Sequence, residues 1–419
     1  MVEEIYSTKC QGIGGQIKRR YTDFVVEEIT PDEKVCEVKK FLGDYDWAYE
    51  ESTLDIPENK KELDFIHLDM EKINKDVNYC IRIITRFLQC SKKRVGYAGL
   101  KDKRGVTCQR ISIYQPDLER LARFNSRGID LRNPKWSKDK IEIGSLSRNR
   151  FTIVIRDLET EEKELKTNLE KCFAEIEKTG IANFFGEQRF GGIRKVTHLV
   201  GKEFITGNPE KAVMLYLTAT CPKEDEDIRN ARLKLFETRD FSEASKAFPS
   251  KYRYERALIH HLCKYPSDFV GAFRQLPKAL CYLFSHAYQS YLFNEIIEER
   301  IKKKWGLKKV KGDILLNGEP TAPLLGFESK FAKREPGEIE AMVLEREKIS
   351  LENFRVKEFP ELSSKGARKS IVLKPQKLEL LEIGDDEFSE GKKMAKISFE
   401  LEKGSYATTV LREIMKVEE

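Results

Sequence analysis

The apolar spacing of this chain changes character twice, and that limits what it can fold into more than any other feature. The first part alternates short β-branched runs with helix-period runs. "YTDFVVEEI" and "KVCEVKKF" flank the turn signal "TPDEK" and read as a hairpin. Val77, Cys80, Ile81, Ile84, Phe87 and Leu88 then keep helical spacing, "RFTIVIRDL" reads as a strand, and Leu165, Leu169, Cys172, Phe173 and Ile176 trace a helix stopped by Gly180. Beyond about Gly201 the sequence turns helical and Lys-rich, including "SYLFNEIIEERIKKK". Strand alternation returns at Ile397, Phe399 and Leu401, and Ser405 is placed to cap a last helix, "YATTVLREIM". The two ends resemble each other more than the middle, so the pattern predicts a discontinuous α+β domain with a helical domain inserted into it.

Length agrees with two domains, because 419 residues exceed one ordinary core. Lys and Arg number 76 against 70 Asp and Glu, a net charge of +6 that fits a polyanionic partner without demanding one. The same balance suits a solvated Lys/Glu-rich surface. Nine cysteines are scattered with no C-x-x-C pair, which favours isolated thiols in a reducing compartment over disulfides or zinc. The opening "MVEEIYSTKCQGIGG" lacks the basic start and apolar run of a signal peptide, and no apolar run reaches membrane-spanning length. The expectation is a cytoplasmic protein with no membrane association.

Two segments carry chemistry. In "GLKDKRGVTCQ", Gly99 to Gln109, Asp102 stands between two strand-like runs, with Gly105 permitting a tight bend. Lys101, Lys103 and Arg104 favour its ionised form, which suits a nucleophile or base better than a general acid. The same cations suit RNA phosphates. An exposed, charged hairpin tip is the bland alternative.

In "NFFGEQRFGG", Asn183 to Gly192, three phenylalanines occupy a glycine-punctuated loop. They either plug a core or hold a flat ligand: an aromatic face stacks on a base, Arg189 suits a phosphate, and Asn183 or Gln188 suits a base edge. Weaker signals point elsewhere. "GIGG" lacks the G-x-G-x-x-G spacing of a nucleotide loop. Adjacent His260 and His261 point apart on a helix and read as packing or surface residues, so no metal is indicated. "IKKKWGLKKVKG" is equally an RNA-contacting ridge or a solvated helix end.

These two segments together resemble the signatures of the TruD family of tRNA pseudouridine synthases. Further matches follow in order along nearly the whole chain: "IKRRYTDFVVEEI", "SRNRFTIVIR", "SYLFNEII" and "GSYATTVLREI". The resemblance implies a pseudouridine-synthase fold of mixed, mostly antiparallel sheet with flanking helices, interrupted by a mainly helical α+β TRUD domain. Residues 1–201 and 367–419 would form the discontinuous catalytic domain and 202–366 the insertion. It also implies an enzyme that isomerises uridine in RNA, at position 13 of tRNA, without cofactor or metal.

Residue by residue, Asp102 matches the family's catalytic aspartate, Phe185 the aromatic that stacks on the target uracil, and Asn183 the asparagine beside it. Lys18 and Phe24 match residues lining the same pocket. Phe184 stands where relatives often carry Tyr, and the stretch from Gly43 to Lys61 is longer than in bacterial relatives; the look is archaeal. The expected partner is tRNA, bound by a monomer with no obligate protein partner. The competing reading is a catalytically idle RNA-binding or RNA-folding protein. A methyltransferase would show a glycine-rich cofactor loop and a zinc deaminase H-x-E with P-C-x-x-C, and this sequence has neither.

Overall fold

A computed structural model of the protein describes residues 5–43, 53–59, 62–303 and 305–417. The chain divides into two compact units. One comprises Thr8–Gly180 with Lys374–Glu419, and the other Met1–Ser7 with Ile181–Leu373. The changeovers at 180/181 and 373/374 stand against junctions drawn from the sequence at 201/202 and 366/367, so "NFFGEQRFGG" lies in the second unit.

The first unit is built on one sheet. Its strands are β1 (Gln16–Ile17), β2 (Phe24–Ile29), β3 (Phe65–Ile73), β4 (Val95–Tyr97), β5 (Val106–Tyr114), β6 (Ile129–Ser137), β7 (Arg148–Leu158), β8 (Gln376–Asp385) and β9 (Lys393–Glu402). The order is β8-β9-β7-β2-β5-β3-β6, with β1 on β7 and β4 on β5. Every pairing is antiparallel except β2 with β5, which run parallel with Val25 opposite Val106. This is the mixed, mostly antiparallel sheet the sequence led us to expect. Alternation explains β9: Ile397, Phe399 and Leu401 are buried on one face.

Helix α1 (Val77–Phe87) covers part of the sheet. Asp76 caps it by accepting from the backbone N–H of Asn78 at 2.8 Å. Val77, Cys80, Ile81 and Ile84 join Ile66, Leu68, Met70, Ile111 and Ile113 in one apolar core, while Phe87 turns partly outward. Helix α2 (Glu162–Thr179) buries Leu165, Leu169, Cys172, Phe173 and Ile176 and ends at Gly180, whose φ of 68° suits glycine. The last helix, α3 (Ala407–Met415), is preceded by Tyr406 at its N-cap, not by Ser405 as the sequence suggested.

Other expectations need correction. "KVCEVKKF" is not the second arm of a hairpin; beyond one bridge between Ile29 and Val35 it forms no strand. Its backbone is held by buried carboxylates instead. Val38 N donates to Glu27 Oε1 at 2.8 Å, and the N–H groups of Lys39 and Phe41 each reach Glu71 at 2.8 Å. "GIGG" is a packing device: a Cβ on Gly12 would stand 2.6 Å from the carbonyl oxygen of Met415 at the end of α3. The stretch from Gly43 to Lys61 falls partly outside the described residues; within its described part, Gly43 and 53–59, the Trp136 indole donates to Pro57 O at 2.7 Å.

The second unit is mainly helical, with helices that include Thr197–Ile205, Pro209–Thr218, Glu226–Thr238, Arg253–Lys264, Lys278–Ile301 and Arg334–Glu347. Lys278–Ile301 runs through its core, burying Phe284, Tyr288, Leu292, Phe293 and Ile297. A small antiparallel sheet pairs Glu319–Leu324 with Ala367–Ser370, and Val372–Leu373 pairs with Ile181–Ala182. Among the described residues no helix is long and apolar enough to cross a membrane.

Candidate active site

The parallel β2–β5 pair explains why Asp102 has the neighbours it has. Strands that run parallel begin at the same edge of a sheet, so the segments entering them meet there. Residues 18–23 enter β2, and 98–105 enter β5. β3 arrives antiparallel, with Ile73 opposite Val106, and adds the end carrying Lys72 and Asn74.

Asp102 therefore sits not on a tight turn but on a longer connection, 98–105, between β4 and β5. That connection is pinned from three sides. Lys72, fully buried, donates from Nζ to the Asp102 carbonyl oxygen at 2.7 Å, and burial pushes its pKa down to about 8. Asn74 N donates to Gly105 O at 3.1 Å, and Gln109 Nε2 to Gly99 O at 3.0 Å. Gly105 is required by close approach, since a Cβ there would lie 2.5 Å from the Phe24 carbonyl oxygen.

The carboxylate of Asp102 remains 39% exposed while its backbone is fixed, which is what a group awaiting a substrate needs. Its cation is Lys18, whose Nζ lies 3.2 Å from Oδ1 and 3.8 Å from the centroid of the Phe24 ring. Lys18 holds a φ of 61°, an unusual conformation for a residue with a side chain. The segment after it is anchored by a buried group: Arg156 reaches Asp23 at 2.8 Å and Asp386 at 3.0 Å, and Asp23 accepts from Arg20 N at 2.7 Å.

The three cations adjacent to Asp102 in sequence behave differently from the expectation. Lys101 turns inward to buried Glu28 at 2.5 Å. Lys103 and Arg104 are exposed and form no ion pair among the described residues. Glu28, Lys72 and Arg156 were not singled out from the sequence, because charged residues inside a strand read as solvent-facing when only alternation is available.

In the second unit, "NFFGEQRFGG" leaves Ile181–Ala182 and enters a short 3-10 turn, Glu187–Phe190. Phe184 and Phe185 are buried in that unit's core, and Phe190 packs edge-on against His198. Phe185 is clamped by Asn294, which accepts from its N–H and donates to its carbonyl oxygen, both at 2.9 Å. Its ring meets Phe293 edge-on at 5.5 Å, and the Arg189 guanidinium lies 5.6 Å from its centroid. Asn183 is buried and donates from Nδ2 to Ser370 O at 2.9 Å, while Gln188 is exposed and Arg189 donates to Ser290 Oγ at 3.1 Å. So Lys18, Phe24 and Asp102 are brought together in one unit, and Asn183, Phe185 and Arg189 in the other.

A family model, tRNA pseudouridine synthase D (TruD), matches residues 2–320 and 316–414. The chain belongs to the TruD family. It is 40% identical to a Methanococcoides burtonii protein named Probable tRNA pseudouridine synthase D, covering 99% of this chain and 96% of that relative. A Methanosarcina acetivorans relative of the same name is 38% identical over 99% of this chain and 95% of its own length. The crystal structure of a Methanosarcina mazei protein named Putative tRNA pseudouridine synthase D (TruD) superposes with a TM-score of 0.82 at 37% identity, covering 99% of this chain and 96% of that one. The archaeal look of the TruD signatures thus has matching relatives along the whole chain.

Proposed function

We propose that this chain isomerises uridine to pseudouridine in tRNA, at position 13, acting as a monomer. The sheet unit serves as the catalytic domain and the helical unit as the family's insertion. The observation that carries this reading is the Lys18–Asp102 pair on a pinned strand connection, in a chain that matches TruD from residue 2 to residue 414.

The chemistry asks for such a carboxylate. The bond from N1 to C1′ must break, the uracil must turn, and C5 must join C1′. The target base is first flipped from its stack, at a cost of a few kcal/mol that stacking and phosphate contacts offset. Asp102 then attacks C1′ as a nucleophile or removes a proton at C2′. Either role requires an accessible carboxylate held in one place, and 39% side-chain exposure on a fixed backbone supports both. Lys18 orients the carboxylate, and Phe24 lines the pocket around it. Lys103 and Arg104 in the sheet unit, and Asn183, Phe185, Gln188 and Arg189 in the helical unit, are offered to RNA; Lys101, bound to Glu28, supports the connection instead.

The test is a single-turnover assay of wild type and Asp102→Asn on unmodified tRNA, mapping pseudouridine by adduct chemistry and measuring tRNA binding alongside. Wild type should convert one uridine, at position 13, and the variant should bind equally and react slower by about 10³-fold or more. A variant as fast as wild type would return Asp102 to a charged loop residue. Binding by both proteins with reaction by neither would make this an RNA-binding protein.

A further inference from the structure

Two cysteines far apart along the chain meet inside the sheet unit. Cys10 stands on the N-terminal segment that leads to β1 and Lys18, Cys172 stands on α2, and both are free thiols. Cys172 is 1% exposed, on the face that α2 turns to the core, whereas Cys10 is only half-buried. The two thiols share a hydrogen bond. The segment around Cys10 is tied to α2 and α3 at nearly every residue. Glu175, on the next turn of α2 after Cys172, accepts from Lys9 N at 2.8 Å and from Cys10 N at 3.0 Å. Lys416 Nζ, just past α3, donates to Thr8 O at 2.9 Å and to Cys10 O at 2.5 Å. Ile13 N and Gly14 N donate to Ile414 O and Met415 O at 3.1 and 2.9 Å. Residues 8–14 therefore form a strap bound to both helices.

Both sulfurs hang on the same neighbours. Cys10 Sγ lies 3.4 Å from Thr8 Oγ1, which donates to Glu413 Oε2 at 2.8 Å, and Cys172 Sγ lies 4.0 Å from Glu413 O. The two thiols are unlike in the way a reactive pair must be. The Cys172 S–H, with the Lys416 ammonium beside it, favours a thiolate at Cys10 and lowers its pKa in spite of burial and Glu175. The same hydrogen bond, with burial, raises that of Cys172. The thiolate is the nucleophile of thiol chemistry, and here it falls on the residue that solvent reaches.

We propose that Cys10 and Cys172 are an oxidation site for hydrogen peroxide, closing to a disulfide that staples the N-terminal strap to α2. The Cys10 thiolate attacks one peroxide oxygen, the O–O bond breaks, and a sulfenic acid forms with release of hydroxide, which takes up the proton that Cys10 gave up. The Cys172 sulfur then attacks the sulfenic sulfur, the S–O bond breaks, and the oxygen leaves as water with the Cys172 proton. Two electrons and two protons pass from the thiols to the peroxide, giving one disulfide and two waters. Because the sulfurs already touch, the bond fastens the strap where it lies, and its long loop restricts the unfolded chain strongly.

The test treats the reduced full-length protein with hydrogen peroxide, alkylates it in denaturant and maps linked peptides by mass spectrometry without reductant, with thermal melting before and after. Cys10→Ser and Cys263→Ser, the latter removing an exposed thiol elsewhere, are run alongside. Wild type and Cys263→Ser should yield a Cys10–Cys172 linked peptide, melt higher by about 5 to 10 °C, and return to the starting melting temperature with dithiothreitol. Cys10→Ser should show neither the link nor the rise. Recovery of Cys10 and Cys172 both alkylated after peroxide overturns the proposal. So does a Cys10 sulfinic acid without the link, which would leave Cys172 no part in the chemistry, and so does a link that leaves melting unchanged, which would remove the staple. None of these readouts depends on pseudouridine formation.

Discussion

Lys18 Nζ stands 3.2 Å from Asp102 Oδ1, although the two residues are 84 positions apart in sequence. The ammonium also lies over the Phe24 ring, so one cation is shared between a carboxylate and an aromatic face. Lys18→Met removes both contacts and leaves the carboxylate without its orienting partner. The expected result is a single-turnover rate lower by about 10²-fold with tRNA affinity little changed. An unchanged rate would remove Lys18 from the mechanism.

Lys72 predicts a pH dependence of stability. Its pKa is about 8 in the folded protein against 10.5 for an ordinary lysine. Between those values the unfolded chain binds the proton and the folded one does not, so stability rises with pH. The neutral amine still donates to Asp102 O, so the contact survives deprotonation. Urea unfolding at a series of pH values should show wild type gaining stability from about pH 8 to 10.5, and Lys72→Met lacking that gain.

Arg156 holds Asp23 and Asp386 together inside the sheet unit, and both carboxylates are buried. Arg156→Leu would take the nearest cation from both buried acids, leaving Asp386 only the longer contact to Arg19 at 3.7 Å, at a cost of about 3 to 5 kcal/mol. Denaturant unfolding measures this directly. The rate should fall as well, because Asp23 ties the segment that carries Lys18.

Lys103 and Arg104 are exposed beside Asp102, where steering of a polyanion needs them. Lys103→Gln with Arg104→Gln should weaken tRNA binding and lower the slope of log affinity against log salt by about one for each charge removed. A salt titration of wild type and variant with the same tRNA reads both effects.

Much of this was legible in the sequence because it is local. The helical spacing from Val77 to Ile84, the stop at Gly180 and the alternation through Ile397, Phe399 and Leu401 each bury the residues that their periods select. The two motifs and their order carried the family. What only tertiary structure decided is non-local. The parallel β2–β5 pair sets Lys18 against Asp102, and the β3 antiparallel register delivers Lys72 to the same edge. Lys101, the cation next to Asp102 in sequence, belongs to Glu28. Burial of Glu27 and Glu71 turned a presumed strand into a loop bound by carboxylates. Periodicity records which face of an element is apolar; it says nothing of which charges, distant along the chain, strand pairing will press together out of water.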